Sequence, residues 1–261
     1  MSESEDIVVI AGAELERRTL GSGPPLLFLH GEDGHLFTEP VLRELAGHFE
    51  VTAPSHPGWG RSPRSRRYRD IDDVAYLYLD LLESMEGPVT LMGVSLGGWL
   101  ACEIATKCEH NIAALVLVAP VGLRVGEPRT RTFLDIYAVP PQALSASLYG
   151  DEARRPDLTA LTDEQFGYLA RAQEAVAHYA WEPYFHSPTL ADRLRRITVP
   201  TLVVGGGRDR FLLVEGYLEE FASRLGGEAR VLTIPDAGHR VEEEAPAELA
   251  RAIAGFARRT A

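Results

Sequence analysis

The sequence predicts an α/β protein with a mostly parallel central sheet of about eight strands, flanked by helices, and a helical cap inserted after the sixth strand. Three observations carry this. Short β-branched or leucine-rich runs alternate with longer amphipathic ones. The middle short runs are nearly continuous apolar stretches, as strands covered on both faces must be. The alternation then stops for about 75 residues after Pro120, where several helical patterns and no good strand remain.

The strands are expected at IVVI (7–10), ELERRTL (14–20), PLLFLH (25–30), FEVTAP (49–54), PVTLMG (88–93), ALVLVA (114–119), PTLVVG (200–205) and RVLTIP (230–235). The first two are more polar and have Gly12 between them, which suits an antiparallel hairpin at the sheet edge. Helical patterns fall at 38–48, 70–86, 96–109, 214–225 and 245–259. The stretch DIDDVAYLYLDLLESM opens with acids suited to a helix N-terminus and then repeats apolar residues at intervals of three and four. The expected division is a core of 1–120 and 197–261 with a helical cap of 121–196, which includes TDEQFGYLARAQEAVAHYAWEPYF (162–185).

Composition narrows the function classes. A chain of 261 residues with 45% hydrophobic and 25% charged residues is an ordinary globular one, long enough for a sizeable core. Its net charge of −12 argues against nucleic acid, which calls for a dense basic surface. No apolar stretch approaches the ~20 residues of a membrane helix, and MSESEDIVVIAG lacks the flank and apolar segment of a signal peptide. A cytoplasmic location is therefore expected. Cys102 and Cys108 lie in one probable helix and set up neither a metal site nor a mutual disulfide. The basic run RSPRSRRYR (61–69) reads as a solvated loop leading into a helix, and Lys107, the only lysine, sits in a polar stretch unsuited to Schiff-base chemistry.

The strongest local signal is LMGVSLGGWLA (91–101), in which an apolar strand enters Gly93-Val94-Ser95-Leu96-Gly97 and a helix follows at once. A serine on so sharp a turn leaves no room for side chains two residues to either side. The turn lifts the hydroxyl beyond the sheet, and the helix N-terminus offers free N–H groups to an anion. Ser95 as a mere helix N-cap is the plainer alternative; the strand and helix on either side favour a nucleophile. Such a hydroxyl needs a base and an orienting acid. His239, in TIPDAGHRVEEEAP, follows the last strand at the edge where Ser95 must emerge, whereas His35, His48, His110, His178 and His186 read as surface loop residues. Asp209, in LVVGGGRDRF, holds the corresponding place after the preceding strand, unless it only pairs with Arg208 or Arg210. Asp236 and Glu242–Glu244 compete for the acid role, the glutamates reading as the start of a solvated helix.

The chain order Ser95, Asp209, His239, with His30-Gly31-Glu32 after the third strand and Ser55-His56-Pro57-Gly58-Trp59-Gly60-Arg61-Ser62 after the fourth, resembles the α/β-hydrolase superfamily over nearly the whole length. Ser55 stands where the family usually has aspartate, which bears on that loop's packing and on no catalytic role. The resemblance implies that Ser95 attacks a carbonyl, His239 moves the proton and Asp209 orients the imidazole. It also implies that the backbone N–H groups of Glu32 and Leu96 hold the oxyanion, and no cofactor or metal is expected. A serine at the elbow, where dehalogenases and epoxide hydrolases of this fold carry aspartate, points to an ester, thioester or lactone. Carbon–carbon bond hydrolases of ring-fission products typically show H-G-x-G-P-G and a tryptophan after the histidine; here HGEDG and Arg240 stand in those places. That reading is the alternative, and a lyase, acyltransferase or ligand-binding protein on the same fold is an alternative of another class.

The cap supplies Phe133, Tyr137, Tyr149, Phe166, Tyr168, Tyr179, Trp181, Tyr184 and Phe185, some of which are expected to line a cleft for an apolar or aromatic small-molecule substrate. Phe133, Tyr137 and Trp181, with Trp99 four residues past Ser95, are the candidate contacts, although Trp99 also suits packing of the elbow helix on the sheet. Arg124, Arg129, Arg131 and Arg171 could bind a substrate carboxylate, with solvated surface the plainer reading. Glu32 and Asp33 are expected to point away from Ser95, toward solvent, a cap arginine or a helix end, because negative potential at the cleft opposes an anionic transition state. If they line the pocket instead, neutral or cationic substrates should be preferred over carboxylates.

Overall fold

The computed structural model describes residues 2–127 and 129–260. Eight strands form one sheet: β1 (Glu3–Ile10), β2 (Ala13–Gly21), β3 (Pro25–Leu29), β4 (Glu50–Pro54), β5 (Val89–Val94), β6 (Ile112–Val118), β7 (Thr201–Gly206) and β8 (Ala229–Ile234). Their order is β1-β2-β4-β3-β5-β6-β7-β8. β1 and β2 form the expected antiparallel hairpin, β2 runs antiparallel to β4, and all other pairs are parallel. β1 begins four residues before the apolar run IVVI, because its polar start pairs with β2 through Glu3 and Leu20 and through Asp6 and Arg17. The Arg17 guanidinium adds an ion pair to Asp6 at 2.7 Å.

The helices lie on both faces. They are α1 (Glu39–Ala46), α2 (Ile71–Ser84), α3 (Leu96–Lys107), α4 (Pro141–Leu148), α5 (Asp163–Ala180), α6 (Leu190–Arg193), α7 (Tyr217–Ser223), α8 (Val241–Glu244) and α9 (Pro246–Thr260). The pleat sends successive residues of each strand to opposite sides. Leu27 and Leu29 of β3 and Leu91 of β5 therefore join the core with α2 and α3, whereas Leu26, Phe28 and Met92 join the one with α1 and α9. Double coverage explains the continuous apolar runs of β3, β5, β6 and β7. α4, α5 and α6 belong to the long helical insertion between β6 and β7. A capping box closes the start of α5: the Thr162 side chain takes the Gln165 N–H, and the Gln165 side chain returns to the Thr162 N–H.

Candidate active site

Ser95 sits between the last residue of β5 and the first of α3 with φ 45° and ψ −107°, a conformation that side chains rarely adopt. The glycines on either side make it attainable. A Cβ on Gly93 would collide with the Gly97 carbonyl, and one on Gly97 with the carbonyls of Leu29 and His30. The turn is held by the Ser95 N–H donating to the Val118 carbonyl at 2.8 Å.

Ser95 Oγ lies 2.8 Å from His239 Nε2, and His239 Nδ1 lies 2.8 Å from Asp209 Oδ2. Asp209 is aimed by its other oxygen, which accepts the N–H groups of Phe211 at 2.8 Å and Leu212 at 3.1 Å. It is not spent on an arginine: Arg208 pairs with Asp236 at 2.5 Å on the surface. The three side chains, 144 and 30 positions apart in sequence pairwise, thus form one hydrogen-bonded line in a buried place. Such a line can draw the proton from a serine hydroxyl while a carboxylate faces the imidazole. Leu96 follows Ser95 directly and Glu32 meets it through its side chain, and the backbone N–H of neither has a protein acceptor among the described residues. The Glu32 backbone is pinned from behind by Trp59, whose Nε1–H donates to the Glu32 carbonyl at 2.8 Å. Trp59 lies inside the 55–62 segment, but nothing in that pattern announces this role.

The Glu32 side chain overturns an expectation. It does not point away from Ser95: its Oε1 accepts the Ser95 hydroxyl at 2.5 Å. The physical reason is Arg240, buried at 4% exposure beside His239. Its Nη1 lies 3.3 Å from Glu32 Oε2, and its Nη2 lies 2.5 Å from Asp33 Oδ2, so one guanidinium holds both acids at the cleft. Asp33 does meet an arginine, but not one from the cap. Gly31 leaves the space for this: a Cβ there would stand 3.3 Å from Arg240 Nη1 and 3.6 Å from Ser95 Cβ.

Glu242–Glu244 also depart from expectation. They are not a solvated helix start; Glu242 and Glu244 are buried. Glu244 accepts the N–H groups of Gly238 at 2.6 Å, Asp151 at 2.9 Å and Gly150 at 3.1 Å, while Glu243 accepts the Tyr149 hydroxyl at 2.5 Å. Burial pushes the Glu242 carboxyl up to about 8 and the Glu243 carboxyl up to about 7, each opposed by the Arg240 charge. His35, expected on a surface loop, is half-buried, with Nδ1 3.0 Å from Thr38 Oγ1 and Nε2 3.2 Å from the Pro54 carbonyl. It stacks edge-on with His30, which packs on His56 at 3.8 Å between ring centroids. Burial lowers all three rings, His35 to about 4, His56 to about 3 and His30 well below its usual range. Ser55 fits its loop by donating to Glu16 Oε2 at 2.9 Å.

A cleft opens next to these groups. Glu32, Asp33, Arg240 and Phe211 form its core-side wall, and Ile136, Leu144, Leu148, Tyr149 and Leu158 of the insertion form the other. The sequence-proposed contacts lie elsewhere. Trp99 is buried under the elbow with its Nε1–H on Glu103 Oε1 at 3.1 Å. Phe133 is buried against Phe185, Phe211 and Tyr217. Tyr137 and Trp181 stack edge-on at the surface, 44% and 51% exposed. Of the cap aromatics named above only Tyr149 lines the cleft, and Arg124, Arg129, Arg131 and Arg171 do not. Helical spacing shows which residues share a face and not which face meets the core. Among the described residues, no three or more His, Cys, Asp or Glu side chains are grouped so as to hold a metal ion, and no helix is long and apolar enough to cross a membrane.

Comparison with known proteins follows the same geometry. The model of the alpha/beta hydrolase family matches residues 26–252. The chain is 29% identical over 251 residues to the dihydrolipoyllysine-residue acetyltransferase component of an acetoin cleaving system from Pseudomonas putida, covering 91% of this chain and 64% of that one. It therefore spans just under two thirds of that relative's length. It is 26% identical over 277 residues to a 2-hydroxy-6-oxo-6-(2'-aminophenyl)hexa-2,4-dienoic acid hydrolase from Metapseudomonas resinovorans, covering 98% and 92% of the two chains. A solved thermophilic esterase from Thermogutta terrifontis superposes with a TM-score of 0.70 at 23% identity, covering 98% and 99%.

Proposed function

The chain belongs to the alpha/beta hydrolase family, and from that premise we propose that it is a serine hydrolase cleaving a carboxylic ester, thioester or lactone through an acyl-enzyme on Ser95. The observation that carries this reading is the unbroken line from Ser95 Oγ through His239 to Asp209, with both hydrogen bonds at 2.8 Å. His239 Nε2 takes the hydroxyl proton as Oγ bonds to the carbonyl carbon, then gives it to the leaving oxygen or sulfur. Asp209 holds Nδ1–H and offsets the imidazolium charge. The N–H groups of Glu32 and Leu96 hold the developing oxyanion. A water activated by the same imidazole then releases the acid. The apolar wall built by Ile136, Leu144, Leu148 and Leu158 suits a small molecule with an apolar or aromatic portion.

Carbon–carbon bond hydrolysis is the second reading, favoured by the nearly full-length match to the dienoic acid hydrolase. The acids of the cleft weigh against it. A dienoic acid carries a carboxylate, and the one guanidinium on the cleft wall is already shared between Glu32 and Asp33. A fluorophosphonate probe with an ester screen separates the readings. Labelling lost in Ser95→Ala, together with ester turnover, supports the ester hydrolase. Labelling with turnover of ring-fission dienoates alone favours the second reading, and labelling with neither points to acyl transfer. No labelling of Ser95 overturns the serine mechanism.

A further inference from the structure

Glu32 stands between the cleft and the nucleophile. Ser95 is fully buried and does not line the cleft, whereas Glu32 both lines it and takes the Ser95 hydroxyl proton in a hydrogen bond at 2.5 Å. Glu32 is 5% exposed, and among the described residues its two oxygens have one donor each: Ser95 for Oε1 and Arg240 for Oε2.

The reaction removes the first of these donors. For the Oγ–C bond to form, the one serine hydrogen turns from Glu32 Oε1 to His239 Nε2, 2.8 Å from Oγ, passes to that nitrogen and leaves with the alcohol, and Oγ becomes an ester oxygen with no hydrogen to give. Glu32 Oε1 is then a buried acceptor without a donor, facing oxygen lone pairs at close range. A buried carboxylate in that state is costly. Arg240 makes no hydrogen bond to Oε1: its Nη2 reaches Asp33 at 2.5 Å and its Nη1 reaches Oε2 at 3.3 Å.

We infer that Glu32 is a specificity-determining residue that selects substrates carrying an N–H or O–H donor, best an ammonium, on the carbon next to the scissile carbonyl. This rests on Ser95 being the nucleophile. The α-substituent of an acyl group bonded to Oγ lies within a few ångströms of Oγ, the same short range at which Oε1 sits. An α-ammonium replaces the lost serine donor and offsets the carboxylate charge. An α-hydroxyl replaces the donor alone. A plain acyl group replaces neither, and an α-carboxylate adds a like charge. The substrate class is thus an α-amino or α-hydroxy acyl ester with an apolar alcohol, which fits the leucine-lined side of the cleft.

Benzyl esters of alanine, lactate and propionate, with monobenzyl methylmalonate as the malonate, differ only at that position and test the inference, with kcat/KM read by release of benzyl alcohol. The wild type should turn over the alanine and lactate esters at least tenfold better than the propionate, and the malonate least. In Glu32→Gln the alanine advantage should fall at least tenfold, because the negative charge is gone. A wild type that treats alanine and propionate esters alike, or prefers the malonate, overturns the inference, as does an unchanged ratio in Glu32→Gln. The wild-type series decides alone if the variant does not fold. Fluorophosphonate labelling of Ser95 in the same samples keeps the two claims apart: labelling without turnover of any of the four esters sinks this inference only, and absence of labelling sinks the serine mechanism with it.

Discussion

The Oε2 atom of Glu244 accepts the Gly238 N–H at 2.6 Å, which fastens the residue before His239 to a side chain six residues further on. The same carboxylate takes the Gly150 and Asp151 N–H groups at 3.1 and 2.9 Å, so one acid joins the histidine loop to the helical insertion. Glu244→Ala leaves three amide donors without that acceptor. Its expected cost is about 2–4 kcal/mol of stability, since hydrogen bonds to charged groups are worth roughly 1.5–3 kcal/mol each and water recovers part. Ester turnover should fall about tenfold or more as His239 loses its fixed position, and Glu244→Gln, which keeps one acceptor oxygen, should be milder in both. Urea unfolding and steady-state kinetics check this; an alanine variant with unchanged kcat contradicts the coupling.

Asp209→Asn addresses the other side of the imidazole. Asp209 Oδ2 faces His239 Nδ1 at 2.8 Å, and Oδ1 is already engaged by the Phe211 and Leu212 N–H groups. An amide keeps the Oδ1 contacts and presents a donor to Nδ1, which forces the wrong tautomer. The expected loss in kcat is on the order of 10³–10⁴ with little change in melting temperature. A loss under tenfold would show that another acid serves His239.

Much of the fold is legible in the sequence because its signals are local. PLLFL, VTLMGV and IAALVLV are apolar without a break, and a strand covered on both faces requires that. The placement of Ser95, Asp209 and His239 also follows from local cues, each lying just past the end of a strand at the same edge. The Glu32 side chain does not. Its direction is decided by Arg240, 208 positions away, and no pattern near HGEDG carries that information. The run Glu242–Glu244 misleads for the opposite reason: three consecutive acids have the composition of a solvated helix face, but their partners are the backbone amides of Gly238, Gly150 and Asp151, the Tyr149 hydroxyl and the Arg240 charge. The cap aromatics show the limit of spacing alone. Tyr137 and Trp181 stack on each other outside, and Tyr149 reaches the cleft.

The histidine cluster makes stability sensitive to acid. His30 Nε2 accepts the His56 N–H at 2.9 Å, and His56 Nδ1 lies 2.5 Å from the Tyr78 hydroxyl, so each ring has an acceptor nitrogen that a second proton would abolish. Burial holds His56 at about 3, against about 6.5 for an exposed ring. The folded-state value is lowered, so the unfolded chain binds this proton first. The contribution is complete above about pH 6.5 and is lost as pH falls, at about 1.4 kcal/mol per unit for one such group. His56→Gln removes the group from this balance. The stability gap between wild type and variant should shrink by about 2 kcal/mol between pH 7 and pH 5, read by denaturant melts at each pH. A gap independent of pH contradicts the neutral buried ring.

Among the described residues Arg240 is the one cation in direct contact with both Glu32 and Asp33, and it lies 3.9 and 3.8 Å from Glu242 and Glu243. Arg240→Met keeps most of the side-chain volume and removes the charge, leaving up to four buried or half-buried carboxyls to repel one another. Removing one partner of a buried ion pair typically costs 3–5 kcal/mol, and a loss of that order is expected near pH 8. The pH dependence has a definite sign. Burial already raises Asp33, Glu242 and Glu243 above their ordinary values with the guanidinium present, and its removal raises them further. A carboxyl raised in the folded state contributes stability that is complete below its unfolded value near 4 and is lost as pH climbs through the folded value. The gap between the two proteins opens as pH climbs past each group's folded value in the wild type, about 7 for Glu243 and about 8 for Glu242. The variant should therefore lie closest to wild-type stability near pH 5 and fall away from it most steeply above about pH 7. Thermal melts across that range measure the effect; a deficit that is constant with pH would mean that Arg240 acts through packing and not through its charge.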